Sequence, residues 1–181
     1  MEQLRPATLA DAEAIDALMK ASIAAIFPAF YDQTQTASSI VHIGHVDRTL
    51  IEDGTYFVIE EPGDRRPIAC GGWSRRAKLF TGTAAAADDE RVIDPATEPA
   101  RVRAMFVSRD RTRRGLGTRI LEACEDAARR EGFTRMILVA TLPGALLYER
   151  YGFTTTRPHA FTMPDGVSVD ALVMEKAVRP A

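Results

Sequence analysis

The chain has 181 residues, with 23 Lys and Arg against 25 Asp and Glu, which gives a net charge of −2 at pH 7. Hydrophobic residues make up 46% of it, which excludes an intrinsically disordered chain, and the near-neutral charge excludes a generally basic protein that coats nucleic acid. We expect a single domain over residues 1–181 that needs no disulfide or metal to support its core.

The sequence gives no sign of export or of a membrane anchor. The longest charge-free apolar stretch, residues 21–31, is shorter than the roughly 20 residues that span a bilayer. We therefore expect a cytoplasmic protein without membrane contact. The two cysteines, Cys70 and Cys124, lie far apart and have no second pair, which argues against a zinc site or a disulfide framework and favours buried free thiols.

Apolar periodicity predicts the elements of the first half of the chain. Residues 10–27 are predicted to form a helix, capped by Thr8 and closed by Pro28, because apolar residues recur at helical spacing: Ile15, Leu18, Met19, Ile23 and Ile26. A weaker helical segment, a short helix and the two strands of a hairpin follow, at residues 38–44, 46–52, 56–60 and 67–74.

The second half contains a strand, a helix and a strand in succession. Residues 75–100, with an alanine run, an acidic patch at 88–90 and two prolines, precede them as a long, partly extended connection. The strand at 101–107, the helix at 114–130 and the dense apolar strand at 135–140 predict a right-handed crossover between parallel strands. One face of that helix carries Ile120, Cys124, Ala127 and Ala128. A short helix and two strands complete the chain, at residues 144–151, 154–163 and 167–175.

The segment 105–117 has the composition of an anion-binding turn. It joins a buried strand to a helix N-terminus through Gly115 and Gly117. The free N–H groups and the dipole at such a terminus favour phosphate oxygens. Arginines surround the turn: Arg111, Arg113, Arg114 and Arg119. A Gly-x-Gly pair alone is more often part of a solvated basic loop, and its spacing excludes both a nucleotide P-loop and the dinucleotide fingerprint.

A second segment, residues 141–153, makes the pattern specific. It runs from a strand end through a short helix with Tyr148 to Gly152 and Phe153. Together the two segments resemble the GCN5-related N-acetyltransferase (GNAT) superfamily, whose acetyl-CoA loop reads Q/R-x-x-G-x-G/A and whose next helix ends in Tyr-x-x-x-Gly-Phe. The resemblance in motifs covers residues 101–153, and the order of elements extends it over most of the chain.

The resemblance implies a fold and a reaction. The fold is α/β, a GNAT-type mixed, mostly antiparallel twisted sheet around a central strand-helix-strand unit that binds acetyl-CoA, splayed between the strands that end at Val107 and Ala140. The reaction is the transfer of an acetyl group from acetyl-CoA, the donor, to a primary amine of a small molecule or peptide. Neither nucleic acid, nor membrane, nor metal takes part, and a homodimer is usual for the family.

The resemblance also assigns roles to residues. Tyr148 would protonate the departing thiolate, since a phenol is only slightly too weak an acid for it. The Met105 N–H would stabilise the oxyanion, and the main chain of Val107 would pair with the pantetheine arm. The other cofactor-binding positions are Arg113, Arg114, Gly115, Leu116, Gly117, Thr118 and Thr141. Half-buried packing is the alternative role for Tyr148, and Tyr151, one turn away, is expected to pack in the core.

Three positions depart from the family pattern. Thr112 replaces Gln or Arg, Thr141 replaces Asn, and Arg101 stands where some members have a glutamate general base, so no base is assigned. Three histidines are weaker candidates for that role: His42, His45 and His159.

Other readings of the sequence stay open. A non-catalytic CoA-binding or sensor module would keep the phosphate loop without an acceptor site, although the presence of Tyr148 argues against it. A nucleic-acid patch at residues 109–114 would bind with a steep dependence on salt. Trp73 and Phe80 either form a wall of the acceptor pocket or belong to the core.

Overall fold

The computed structural model describes residues 2–80 and 89–180. Within them, seven strands form one sheet in the order β1-β2-β3-β4-β5-β7-β6. The strands are β1 (Gln3–Pro6), β2 (Tyr56–Glu61), β3 (Asp64–Ser74), β4 (Ala100–Val107), β5 (Arg135–Thr141), β6 (Thr154–Thr162) and β7 (Ser168–Ala177). The helices are α1 (Ala12–Ile26), α2 (Gln33–His42), α3 (Arg48–Glu52), α4 (Leu116–Arg130) and α5 (Leu142–Tyr151).

The pairing of the strands confirms the predicted fold class. β4 and β5 run parallel and are joined by α4. The other neighbouring strands of the described sheet are antiparallel, including the predicted hairpin of β2 and β3. The sheet is therefore mixed and mostly antiparallel, with one crossover at its centre.

Helices cover both faces of the sheet. Adjacent residues of β3 point to opposite faces, so Ala69 packs in the cluster of α4 while Cys70 packs in the cluster of α1. The predicted apolar face of α4 is buried, with Ile120 and Cys124 fully inaccessible. Both cysteines are buried free thiols, as predicted. Among the residues described, none of the helices combines the length and the apolar character that crossing a bilayer requires.

Some elements differ from the sequence prediction. The edge strand β1 was not predicted, because its four residues carry a single large aliphatic side chain, Leu4, and pairing with β2 alone makes it a strand. Thr8 begins a 3-10 turn and Asp11 precedes α1. α2 begins earlier than predicted because Asp32 accepts from the Gln35 N–H (2.8 Å) and caps it.

The connection that follows β3 is partly extended, as predicted. The Ala77 N–H donates to Arg91 O and the Ile93 N–H donates to Arg75 O, each at 2.8 Å, so its two described ends lie side by side. The predicted acidic patch is described only in part. Asp88 lies outside the described residues, and Asp89 belongs to a turn.

A buried carboxylate ties the C-terminus to α4 and α5. Glu125 of α4 is 1% exposed and contacts Lys176, Arg179 and the Tyr151 hydroxyl, which donates to it at 2.6 Å. Burial by itself raises the pKa of this carboxyl, but the hydrogen bonds from Arg179, Lys176 and Tyr151 outweigh it and lower the pKa to about 2. Tyr151 is therefore a tether between helices as well as a packing residue.

This arrangement predicts a pH-dependent contribution to stability. Glu125→Gln should lower the free energy of unfolding by about 3 kcal/mol at neutral pH, because two cations lose their buried partner. The folded-state pKa lies below the unfolded value of about 4.3, so the contribution is complete above that pH and is lost as the pH falls towards the folded pKa. Urea denaturation of both proteins across this range measures the difference.

Glu122→Gln is the matched control, since Glu122 is exposed on the same helix. Its effect should stay within about 0.5 kcal/mol at each pH. A difference between Glu125→Gln and the parent protein that persists at acid pH would contradict the assignment.

Candidate active site

The central feature of the site is the divergence of the parallel strands β4 and β5. Among the described residues these strands pair at Ala100 and Arg101 alone, and a cleft of about 550 Å³ lies between their diverging ends. The turn before α4 and one side of α5 line one end of it, which we call the loop end. α1, the residues around it and β6 line the other, the helix end. The volume is within the range of small-ligand sites, roughly 300–1,000 Å³.

A bulge in β4 interrupts the sheet beside the cleft. Ala104 and Met105 together lie opposite the single residue Gly71 of β3. Ala104 has a φ of +54°, a left-handed conformation that costs a non-glycine residue about 1–2 kcal/mol. Its carbonyl accepts a hydrogen bond from the buried Tyr56 hydroxyl at 2.7 Å. Strain of this kind concentrates at functional sites, and here it is located at the residue before Met105.

Val107 turns its backbone towards the cleft. The Ser108 N–H donates to Ile68 O of the neighbouring strand β3 at 2.9 Å. Because successive residues of an antiparallel strand bond to opposite edges, the Val107 N–H and C=O point away from β3. The C=O accepts from Ser22 Oγ of α1 at 3.0 Å. A strand edge exposed in this way can pair with an extended ligand chain.

The turn before α4 presents free N–H groups at the loop end. Arg113 and Gly115 both have left-handed backbone, with φ of +66° and +79°. The first N–H bonded within the helix is that of Arg119, which donates to Gly115 O. The N–H groups of the three residues before it, 116–118, are therefore left for an anion. Gly117 lies against Leu147 of α5, where a Cβ would approach the end of the leucine side chain to 2.8 Å, so a side chain there would displace that of Leu147.

The arginines of the turn divide into two groups. Arg111 lines the cleft but pairs with Glu61 at 2.7 Å, and Arg119 pairs with Glu2 at 3.0 Å, so carboxylates already balance their charges. Arg113 lines the cleft, whereas Arg114 does not. Arg150 of α5 also lines it, although it stands at a variable position of the Tyr-x-x-x-Gly-Phe pattern and had no predicted role.

Tyr148 reaches the cleft from α5. It is 8% exposed, packs against Gly144 and lies edge-on to Phe153 with ring centroids 6.0 Å apart. Burial raises the pKa of the phenol well above its usual value, so the hydroxyl stays protonated near neutral pH. Within residues 2–80 and 89–180 this hydroxyl has no hydrogen-bond partner, which leaves it as a donor for a ligand.

The remaining predicted binding positions lie in the same place. Met105, Val107, Leu116, Thr118 and Thr141 all line the cleft. Thr141 ends β5 and precedes α5. The first N–H of α5, that of Leu142, donates to the Tyr31 hydroxyl at 2.8 Å, and this hydroxyl donates in turn to Asp170 O at 2.7 Å. Tyr31 thereby fixes the start of α5, a role without any sequence signal.

The weaker candidates for a general base lie elsewhere. His42 faces Asp165 at 3.4 Å, and neither His42 nor His45 lines the cleft. Arg101 donates to the carbonyl of Pro99 at 2.6 Å and does not line the cleft either. His159 lies behind the cleft wall, against Phe80 and Phe161.

Of the two aromatic residues considered for the acceptor pocket, one lies in the core and the other lines the cleft. Trp73 is 1% exposed and packs edge-on to Phe133, so it belongs to the core. Phe80 lines the helix end of the cleft. Three further lining residues were missed. Packing of α1 and the turn after it brings Ser22 and Phe27 to the site, and Arg103 lies on β4 beside the bulge.

A sequence model described as the acetyltransferase (GNAT) family matches residues 20–153, about three quarters of the chain. The chain belongs to the GNAT family. This protein is therefore an acyltransferase with acetyl-CoA as its donor. No curated protein matches this GNAT chain significantly.

Solved structures share the fold of this GNAT protein at low sequence identity. A GCN5-related N-acetyltransferase from Rhodopseudomonas palustris has a TM-score of 0.72 at 17% identity, over 98% of this chain and 96% of that one. PaiA N-acetyltransferase from Thermoplasma acidophilum, in complex with coenzyme A, has a TM-score of 0.65 at 12% identity, over 98% and 99%. YncA from Salmonella typhimurium, with its cofactor acetyl-CoA, has a TM-score of 0.63 at 18% identity, over 100% and 96%.

The two buried tyrosines of the site should differ in their effect on stability. Tyr56→Phe removes the donor to Ala104 O and should lower the free energy of unfolding by about 1–2 kcal/mol. Tyr148→Phe removes a hydroxyl that bonds to no described residue and should cost less than about 0.5 kcal/mol. Urea denaturation of the two variants measures both values. Equal losses would show that Tyr56 does not support the bulge.

Proposed function

We propose that this protein is an N-acetyltransferase that moves the acetyl group of acetyl-CoA to a primary amine by direct attack. The observation that carries the proposal is the cleft between β4 and β5, where free helix N–H groups, an exposed strand edge and the Tyr148 hydroxyl converge. Each of these features matches one part of acetyl-CoA: the diphosphate, the pantetheine arm and the sulfur.

The loop end would hold the donor. The N–H groups of Leu116, Gly117 and Thr118 would bind the diphosphate, with positive charge from Arg113 and Arg150. Arg114 and Thr141 were also predicted to bind the donor. Arg114 would act only at longer range, since it lies outside the cleft lining, whereas Thr141 lines the cleft.

The pantetheine arm would pair with the strand edge at Val107 and direct the thioester to the bulge. The amine nitrogen attacks the thioester carbonyl, a C–N bond forms, and the developing oxyanion accepts a hydrogen bond from the Met105 N–H. The tetrahedral intermediate then collapses with cleavage of the C–S bond. Tyr148 donates its proton to the departing thiolate. The proton that the attacking amine releases then restores the phenol. No side chain is assigned to the deprotonation of the amine, since the described lining carries neither a carboxylate nor a histidine.

Substitution of Gly115 tests the phosphate site without a clash. A Cβ at Gly115 meets no atom within 4 Å, and both Asn and Asp tolerate its left-handed backbone. Gly115→Asp should weaken CoA binding at least about tenfold relative to Gly115→Asn, because a carboxylate there repels phosphate. Calorimetric titration of both variants with CoA measures the ratio. Equal affinities would contradict binding of the diphosphate at this turn.

Removal of the Tyr148 hydroxyl tests the general acid. Tyr148→Phe should lower turnover about a hundredfold while leaving acetyl-CoA affinity nearly intact, because the ring keeps its packing and only the proton donor is lost. Thiol release at saturating acetyl-CoA, with an acceptor found by screening amines, measures turnover. Turnover equal to that of the parent protein, under conditions where chemistry limits the rate, would defeat the assignment.

Tyr151→Phe is the matched control on the same helix. Its hydroxyl bonds to Glu125 and its side chain does not line the cleft. It should lose stability while keeping most of its turnover at a temperature where it stays folded.

A further inference from the structure

The helix end of the cleft differs in chemistry from the loop end. Its walls are formed by apolar side chains from α1, the residues around it, the connection after β3 and strand β6: Met19, Ile26, Phe27, Leu79, Phe80 and Phe161. The loop end carries the free N–H groups and three arginines, Arg111, Arg113 and Arg150. The cleft is therefore polar where the donor would bind and apolar where an acceptor would enter.

Aromatic rings form much of that apolar wall. Phe80 lies edge-on to Phe161, with centroids 4.8 Å apart and an interplanar angle of 77°. His159 packs behind both rings, 5.2 Å from Phe80 and 5.4 Å from Phe161. Burial lowers the pKa of His159, so this third ring brings no positive charge near neutral pH. Phe27 lines the same end. Such rings favour a further aromatic ring in an edge-to-face or offset arrangement.

The charges at this end of the cleft do not suit a second ammonium group. Among the described lining residues the charged side chain here is Arg103, whose side chain is 3% exposed. Asp47 lies behind it, outside the lining, and contacts both Arg103 at 3.1 Å and Lys78 at 2.9 Å. The described lining carries no carboxylate, so the second ammonium group of a polyamine or a basic peptide would lose its water here without gaining an anionic partner. A monoamine would bring no such charge after losing its proton.

We infer that the acceptor is an arylalkylamine, a primary amine on a short alkyl chain that ends in an aromatic ring, with no second cationic group. Its ring packs against Phe80 and Phe161, and its amine reaches the thioester beside the bulge. This inference rests on the proposed N-acetyl transfer, and it adds the class of acceptor and the residues that select it.

A panel of amines tests the inference. With 2-phenylethylamine, hexylamine, spermidine and a lysine peptide as acceptors, kcat/KM is measured by thiol release from acetyl-CoA. We expect kcat/KM for 2-phenylethylamine to exceed that for hexylamine by about threefold or more. It should exceed the values for spermidine and for the peptide by about tenfold or more. A preference for spermidine or the peptide would overturn the arylalkylamine assignment and leave N-acetyl transfer intact.

Phe80→Leu tests the aromatic wall itself, because leucine keeps an apolar side chain and removes the ring. The advantage of 2-phenylethylamine over hexylamine should disappear, mainly through a higher KM for the aromatic amine. Phe30→Leu is the matched control, since Phe30 is 49% exposed and lies outside the cleft. It should keep the preference of the parent protein. An unchanged preference in Phe80→Leu would overturn the role of this ring.

A binding measurement separates the two proposals. Calorimetric titration of the CoA-saturated protein with 2-phenylethylamine needs no turnover. If no amine is acetylated but 2-phenylethylamine binds and Phe80→Leu weakens that binding, the aromatic wall as an arylalkylamine-binding site stands and N-acetyl transfer fails. If 2-phenylethylamine neither binds nor reacts, the inference is overturned.

Discussion

Parallel strands that diverge leave backbone hydrogen bonds without strand partners, and buried backbone groups tolerate this poorly. β4 and β5 separate after Arg101, so the sheet has to satisfy the end of β4 by other means. Ser22 Oγ bonds to Val107 O, and the Tyr56 hydroxyl bonds to Ala104 O. The backbone groups that remain face the cleft, where a ligand can complete the ladder. The cleft, and with it the proposed active site, depends on this interruption of the sheet.

A binding cleft needs surrounding elements with fixed positions, and three contacts fix the position of α5. Its first N–H is fixed by the Tyr31 hydroxyl, its middle packs against Gly117 of α4, and its last residue, Tyr151, is bonded to Glu125. These three contacts join Tyr148 and the turn before α4 into one unit. In the proposed reaction the Tyr148 hydroxyl has to meet the sulfur of a cofactor held at that turn, so fixing the two relative to each other serves the proposed chemistry.

The distribution of polarity along the cleft follows from which elements form each end. The loop end is built from backbone amides and arginines, groups that bind an anion and can be supplied by a single short segment. The helix end is built from side chains on α1, the connection after β3 and β6, elements whose apolar residues also belong to the core. The apolar wall at the helix end is thus an extension of the core, and its shape depends on how those elements pack.

The sequence by itself determined the crossover, the turn with Gly115 and Gly117, and the position of Tyr148, because each depends on interactions between residues close in the chain. It did not determine β1, or which arginines face the cleft. Arg111 and Arg119 look like phosphate ligands in the sequence, yet Glu61 and Glu2, distant along the chain, neutralise them. The helix end of the cleft was equally hidden. Pairings between distant segments are set by packing of the whole sheet and its helices, so only the tertiary structure decides them.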